Sequence, residues 1–194
     1  RLPVAILGAT GTVGQKFIRL LEEHPWFEVA ALAASERSAG RPYGEVVRWR
    51  EPTPLPDRIA AMSVAPCVPP LPGVIAFSAV EAELAPRIEQ DFARAGVFVV
   101  TNTKSHRMVP DVPLVIPEVN ADHLSLLEAQ QRDRGWTGGI VANPNCSTAG
   151  LVLALAPLHA AFGVEKVFVS TMQAVSGAGY PGVPSLDILG NVIP

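Results

Sequence analysis

Apolar positions along the chain follow two periods. Residues 3–7 (PVAIL) form a short apolar run ending at Gly8, and residues 13–24 set Val13, Phe17, Leu20 and Leu21 at helical spacing before Pro25. A second apolar run, 28–34 (EVAALAA), follows. Short apolar runs bounded by glycine or proline predict buried strands, and the 3.6-residue spacing between them predicts a helix. Residues 3–34 thus have the size and punctuation of a strand–helix–strand crossover.

Between residues 52 and 72 the seven prolines at 52, 54, 56, 66, 69, 70 and 72 exclude a regular helix. They predict an extended excursion with a short edge strand near 62–64. Order returns with strands at 74–79 (VIAFSA) and 97–101 (VFVVT) flanking a helix at 81–94. A short strand at 114–116, a helix beginning at Asn120 with Asp122, Leu124 and Leu127, and a strand at 140–142 complete the series. This alternation predicts an α/β fold, a Rossmann-type doubly wound parallel sheet over residues 1–143.

From residue 144 the pattern changes to an apolar helix (151–162), a long strand (165–173, EKVFVSTMQ), a loop rich in glycine and proline, and a short helix (185–189). Residues 144–194 read as the start of an α+β catalytic or dimerisation domain, left incomplete. The chain begins without Met and stops at Pro194, so both ends read as cut points.

Composition narrows the function. Of 194 residues 48% are hydrophobic and 17% charged, enough apolar material for a core. A net charge of −3 makes no electrostatic case for nucleic acid or an anionic membrane. Cys67 and Cys146 are too few for a disulfide framework or a cysteine zinc site, which favours a reduced, cytoplasmic setting. The longest apolar stretch, 151–162, carries Pro157 and His159 and is shorter than the roughly 20 residues of a spanning helix. His24, His106, His123 and His159 have no metal-ligand spacing, so no metal is expected.

Five constellations carry candidate chemistry. The turn Gly8-Ala9-Thr10-Gly11-Thr12-Val13-Gly14 joins a predicted strand to a predicted helix. There, glycines admit a pyrophosphate to the backbone and the helix start presents orphan N–H groups. Its spacing departs from the usual dinucleotide fingerprint, so the context carries the reading, against a plain tight turn. After the second strand come Ser35, Glu36, Arg37 and Ser38 in place of an acidic ribose clamp. A guanidinium with hydroxyls suits a 2′-phosphate, which favours NADP over NAD, provided Glu36 points away.

Asn145-Cys146-Ser147 opens a helix that Ser147 or Thr148 is placed to cap, and a thiol at such a terminus is favoured as a nucleophilic thiolate. Cys67, among prolines, reads instead as an inert structural thiol. Asn102 to Arg107 follows a strand's carboxyl end, where ligands of open α/β sheets bind, and Arg107 suits a phosphate or carboxylate. Gln173, followed by Ser176, Gly177, Ala178 and Gly179, offers an amide for a polar substrate and a loop that a flat ring can approach. None of these residues is a convincing general base.

Together GATGTVGQKFIRLLEEHPWFE, ASERSAG, FSA, SHRM, PDVPLVIPEVN, NPNCST and TMQAVSGAGYPGVPSLDILGNVIP resemble the aspartate-semialdehyde dehydrogenase family, in its archaeal and fungal-like branch. The resemblance covers essentially the whole chain, and NPNCST and QAVSGAGYPG are its specific parts. It implies that Cys146 is the acyl-thioester nucleophile and that Asn145, Gln173 and Arg107 bind substrate. It implies further that Gly8, Thr10, Gly11, Thr12, Val13, Gly14, Ser35, Arg37, Ser38, Ser78, Asn102 and Ser176 to Gly179 bind NADP.

The implied reaction is reductive dephosphorylation of L-aspartyl-4-phosphate in lysine, threonine and methionine synthesis. It would run in a homo-oligomer with small-molecule partners only. The family's catalytic histidine would lie beyond position 194, so residues 1–194 alone are expected to bind NADP without turning over. Two other enzymes stay open, malonyl-CoA reductase and N-acetyl-glutamyl-phosphate reductase, as does a non-catalytic NADP-binding module.

Overall fold

In the computed structural model, which describes residues 1–175 and 188–190, six parallel strands form one sheet in the order β3-β2-β1-β4-β5-β6. The elements run β1 (Leu2–Leu7), α1 (Thr12–Leu21), β2 (Phe27–Ala34), α2 (Tyr43–Val46), α3 (Asp57–Ala60), β3 (Val64–Pro66), β4 (Ile75–Ser78) and α4 (Ala85–Arg94). They continue with β5 (Phe98–Thr101), α5 (Pro117–Asn120), α6 (Leu126–Arg134), β6 (Gly139–Ala142) and α7 (Cys146–Phe162). The chain winds outward from β1 twice, once toward β3 and once toward β6. This is the order in which ligands bind across the strands' carboxyl ends, where the winding reverses.

Alternation along the strands sends side chains to two cores. On one face Val4, Ile6, Val29, Leu32 and Ala34 pack with Ile18 and Leu21 of α1 and with Tyr43 and Ile59. On the other, Ala5, Leu7, Ala76, Val99 and Ile140 pack with Ile88, Phe92 and Ala93 of α4 and with Trp136. Both faces are covered, so the strands are near-continuous apolar runs, as parallel sheets require. Burying Phe92 or Ile6 completely contributes roughly 1.5–3 kcal/mol each.

The edge strand β6 is closed by a side chain. Buried Gln130 of α6 accepts from Ile140 N–H at 2.7 Å, and its amide donates to Ile140 C=O at 3.1 Å and Asp111 C=O at 2.9 Å. It thereby does part of the pairing a seventh strand would do.

Several expected elements differ. The helix expected from 81 begins at Ala85, after a turn, because Pro86 fits only in a first turn. The strand expected at 114–116 is a single bridge from Leu114 to Ala142. The helix expected to start at Asn120 is broken there. The Asn120 side chain accepts from Ile116 N–H and donates to Leu114 C=O, ending α5, and a 3-10 turn over Ala121–Ser125 precedes α6. The apolar helix expected at 151–162 starts earlier, at Cys146.

The long strand expected over 165–173 is not formed. Those residues carry no ladder and are exposed, with Phe168 at 95% and Met172 at 98%. An apolar run becomes a strand only beside a partner, and none pairs with it among the described residues. The helix expected at 185–189 falls mostly outside the described residues.

Candidate functional site

All six strands run the same way, so the loops after β1, β2, β4, β5 and β6 gather at one edge of the sheet. The loop after β1 bends at Gly8, where φ is +77°. A Cβ there would sit 2.5 Å from Ala79 O, and a Cβ on Gly14 would sit 2.3 Å from Gly8 O. The fold itself thus demands both glycines. Gly11 differs: its nearest obstacle is Gly8 O at 3.4 Å, so intramolecular packing barely restricts it. A side chain at Gly11 would instead project at the lip of the groove, which is where a ligand's approach needs clearance.

That groove, of about 270 Å³, is lined by Gly8, Thr10, Gly11, Ala34, Ser35, Arg37, Cys67, Ala79, Val80, Glu81, Leu84 and Ile88. Thr12, Val13 and Gly14 make the first turn of α1, which no side chain caps and which holds no acidic residue. A helix start in that state favours an anion. The loop is held from beneath: the Tyr43 hydroxyl donates to Ala9 C=O at 2.7 Å, and buried Gln15 donates to Thr10 C=O at 2.9 Å. Burial pushes the Tyr43 hydroxyl pKa far up, so it stays a donor.

Ser35 and exposed Arg37 stand at the groove's outer end, past β2. Glu36, between them, does not line it, and neither does Ser38, whose backbone N–H closes a turn on Ser35 C=O. The residues present therefore fit the phosphates of a dinucleotide, with the glycine turn and Arg37 as the groups that would meet them. Cys67 was missed by sequence reasoning as a groove residue. It is half-buried in the wall, and burial raises its thiol pKa, partly offset by the Gly8 N–H. Proline-rich surroundings gave no local signal, because β3 brings it to Gly8 only through the sheet.

Two expected cofactor residues stand differently. Ser78 is fully buried and donates to Glu89 Oε1 at 2.6 Å, so Ala79 and Val80, one and two positions on, line the groove in that strand's stead. Asn102 lies outside the groove lining, with its C=O accepting from Arg107 Nη2 at 3.2 Å. Ser176 to Gly179 lie outside the described residues.

Across the same edge, past β6, Cys146 is the first residue of α7 and is exposed. The helix cap is Asn145, not Ser147 or Thr148: its Oδ1 accepts from Ser147 N–H at 2.9 Å and from Thr148 N–H at 3.4 Å. Asn145 thereby presents Cys146 to solvent at the helix start. Arg107 reaches over from the loop after β5 and donates through Nε to Asn143 C=O at 2.8 Å. Its remaining N–H groups stay available to an anion. Gln173 is exposed in irregular chain, and the structure does not bring it to Cys146 through any described hydrogen bond.

The four histidines are engaged elsewhere. His24 Nδ1 accepts from Trp26 and Phe27 N–H, His159 Nδ1 accepts from Val164 N–H, His123 meets Asn120, and His106 is buried against Glu89. Among the described residues there is no metal-binding cluster and no helix long and apolar enough to cross a membrane.

Comparison with known proteins converges on one family. Residues 3–127 match the semialdehyde dehydrogenase NAD binding domain, and residues 155–194 match the semialdehyde dehydrogenase dimerisation domain. The chain is 53% identical over 193 residues to an aspartate-semialdehyde dehydrogenase of Methanothermobacter thermautotrophicus, covering 98% of this chain and 55% of the relative. It is 42% identical over 195 residues to a malonyl CoA reductase (NADP) of Metallosphaera sedula, covering 100% of this chain and 54% of the relative. The crystal structure of aspartate semialdehyde dehydrogenase with NADP from Candida albicans superposes with a TM-score of 0.85 at 40% identity, over 100% of this chain and 55% of that one. The chain spans about half the length of the curated relatives it matches. Since the first domain match alone takes in more than half of its residues, the chain belongs to the semialdehyde dehydrogenase family.

Proposed function

We propose that this chain carries the cofactor groove and the nucleophile of an NADP-dependent aspartate-semialdehyde dehydrogenase, acting on L-aspartyl-4-phosphate. The observation that carries the reading is one arrangement. A glycine-walled anion groove with Arg37 at its outer end shares a sheet edge with an exposed thiol at a helix start. From β1 to β6 is three strand spacings, about 14 Å.

Gly8, Thr10, Gly11 and the first turn of α1 would hold the pyrophosphate, and Ser35 and Arg37 the 2′-phosphate. When bound, NADPH supplies the hydride. Cys146 Sγ bonds to the acyl carbon while the carbon–oxygen bond to phosphate breaks, leaving a thioester and free phosphate. Arg107 holds the departing phosphate or the substrate carboxylate, Asn145 fixes the thiol's position, and Gln173 binds the substrate's polar end. After reduction, the carbon–sulfur bond breaks to return the thiolate and release the aldehyde. Residues 1–143 form the cofactor domain and 144 onward the catalytic one. The match of 155–194 to a dimerisation domain supports a homo-oligomer. We place the enzyme in the cytoplasm with small-molecule partners only.

The test is phosphate-dependent NADP reduction by the native enzyme, with aspartate semialdehyde set against malonyl-CoA reduction. Preference for the aspartyl substrate supports the proposal. Preference for malonyl-CoA supports the second reading, which the Metallosphaera sedula relative favours. Arg37→Ala should weaken NADP binding about ten- to a hundredfold, from loss of a charge-assisted contact worth roughly 1.5–3 kcal/mol. Equal NADP and NAD affinities in a fluorescence titration would remove the cofactor assignment.

A further inference from the structure

Beneath the catalytic edge lies a polar cluster that the proposed chemistry does not use. Glu89 sits on the inner face of α4 with no exposed surface, among Ile88, Phe92 and Ala93. Its Oε1 accepts from the Ser78 hydroxyl at the end of β4 and from the Thr101 hydroxyl at the end of β5, both at 2.6 Å. Thr101 Oγ1, its proton committed to Glu89, accepts from Thr103 N–H at 3.1 Å and from the Thr103 hydroxyl at 3.0 Å. The other oxygen, Oε2, lies 3.1 Å from His106 Nε2, off the line of a normal hydrogen bond, and His106 is 2% exposed.

A buried carboxylate is costly unless it is paired and hydrogen-bonded. An apolar residue at position 89 would serve packing alone, so the pair needs another reason. The turn it holds supplies one. Three consecutive side chains fasten that turn to three elements: Ser105 donates to Ala82 C=O at 2.7 Å ahead of α4, His106 meets Glu89 on α4, and Arg107 reaches Asn143 beyond β6. Asn143 lies two residues before the cap of the Cys146 helix.

We propose that Glu89 and His106 are positioning residues that fix the 102–107 turn, and with it the guanidinium of Arg107, in register with Cys146. Their role is to set affinity for the substrate's anionic group. The inference rests on the proposed role of Arg107 at that anion. A small misplacement of such a clamp costs up to about a hundredfold.

The test uses steady-state kinetics of the native enzyme in the oxidative direction, with inorganic phosphate varied. The double variant Glu89→Gln/His106→Phe roughly keeps the volume, removes both ionisable groups and leaves an oxygen for Ser78 and Thr101. It should raise the phosphate KM about tenfold while the NADP Kd stays within about twofold. His106→Gln, which keeps an N–H toward Glu89, should restore most of the affinity. In an Arg107→Ala background the double variant should add nothing. Should the double variant not fold, Glu89→Gln alone carries the same expectation.

An unchanged phosphate KM in the double variant, with Arg107→Ala raising it, overturns the positioning role alone. An equal rise in both backgrounds overturns it too, since the pair would then act by another route. An unchanged phosphate KM in Arg107→Ala removes the Arg107 reading, and the positioning role falls with it.

Discussion

β5 and the 165–173 stretch are both valine-containing apolar runs, and α4 and α7 both carry enough apolar residues to be core helices, yet their fates diverge. β5 pairs with β4 and β6 and buries Val99 completely, whereas 165–173 pairs with nothing described and leaves Phe168 exposed. α4 buries five residues, and α7, with seventeen, buries none. Apolar content is therefore a poor guide to burial when read without partners. α4 concentrates its apolar residues on one stripe, which a single sheet face covers. α7 is apolar around most of its circumference, a pattern suited to contacts on several sides at once. The sheet half supplies a groove, and the following segment supplies an exposed thiol.

The largest expected effect separates chemistry from stability. Cys146→Ser should lower turnover of the native enzyme by at least about 10⁴-fold, with the melting temperature unmoved, because its side chain is exposed. Alkylation at neutral pH should label Cys146 before Cys67, and bound NADP should protect Cys67, which lines the groove. First labelling of Cys67 would contradict the assignment of the nucleophile.

Paired core and surface truncations test the comparison directly. Phe92→Ala should cost about 3–5 kcal/mol in denaturant unfolding, while Phe168→Ala should cost under about 0.5 kcal/mol. Similar costs would mean that 165–173 packs against something. Glycines offer a finer version. Gly14→Ala should destabilise by about 1–3 kcal/mol or more, since its Cβ would meet backbone atoms of Gly8 and Ala9. Gly150→Ala, within α7 and with open space around it, should stabilise by roughly 0.5–1 kcal/mol.

The smallest effect belongs to an ion pair on the sheet half. Both Arg134 nitrogens Nε and Nη2 donate to Asp111, the latter at 2.6 Å. Those hydrogen bonds, against a smaller opposing effect of burial, hold the Asp111 carboxyl below its usual range. A depressed folded-state pKa contributes stability above the unfolded value and loses it as pH falls through the folded one. Asp111→Asn should therefore cost about 1 kcal/mol near neutrality, and melting curves should show the gap closing below about pH 4. A gap independent of pH would show that the pair contributes shape rather than charge.

Much of the molecule was legible locally. The glycine turn, the strand runs and the punctuation by Pro25 and Pro86 each act within a few residues, through backbone sterics and periodicity. Arg37 was legible as well, because it follows a strand end directly. Cys67 was not, since two parallel ladders, β3 to β2 and β2 to β1, lie between its sequence neighbourhood and Gly8. The cap at Asn145 was not legible either: the local pattern pointed to Ser147 or Thr148, and the backbone angles set the cap at Asn145, whose side chain accepts from both of their N–H groups. Glu89 did leave a trace, as an acidic residue on the apolar face of α4, but nothing local named its partner.

By itself the sequence determined the strands' order of appearance, the helix start beneath the glycine turn and the family resemblance, and it nominated Cys146 as the thiol to test. Those follow from short-range sterics, periodicity and motif chemistry. Tertiary structure alone decided which apolar runs became strands, that Gly8 and Gly14 are demanded by packing while Gly11 has room, and that Glu89 meets His106. Each of those depends on which surface arrives opposite, and only the closed sheet brings those surfaces together.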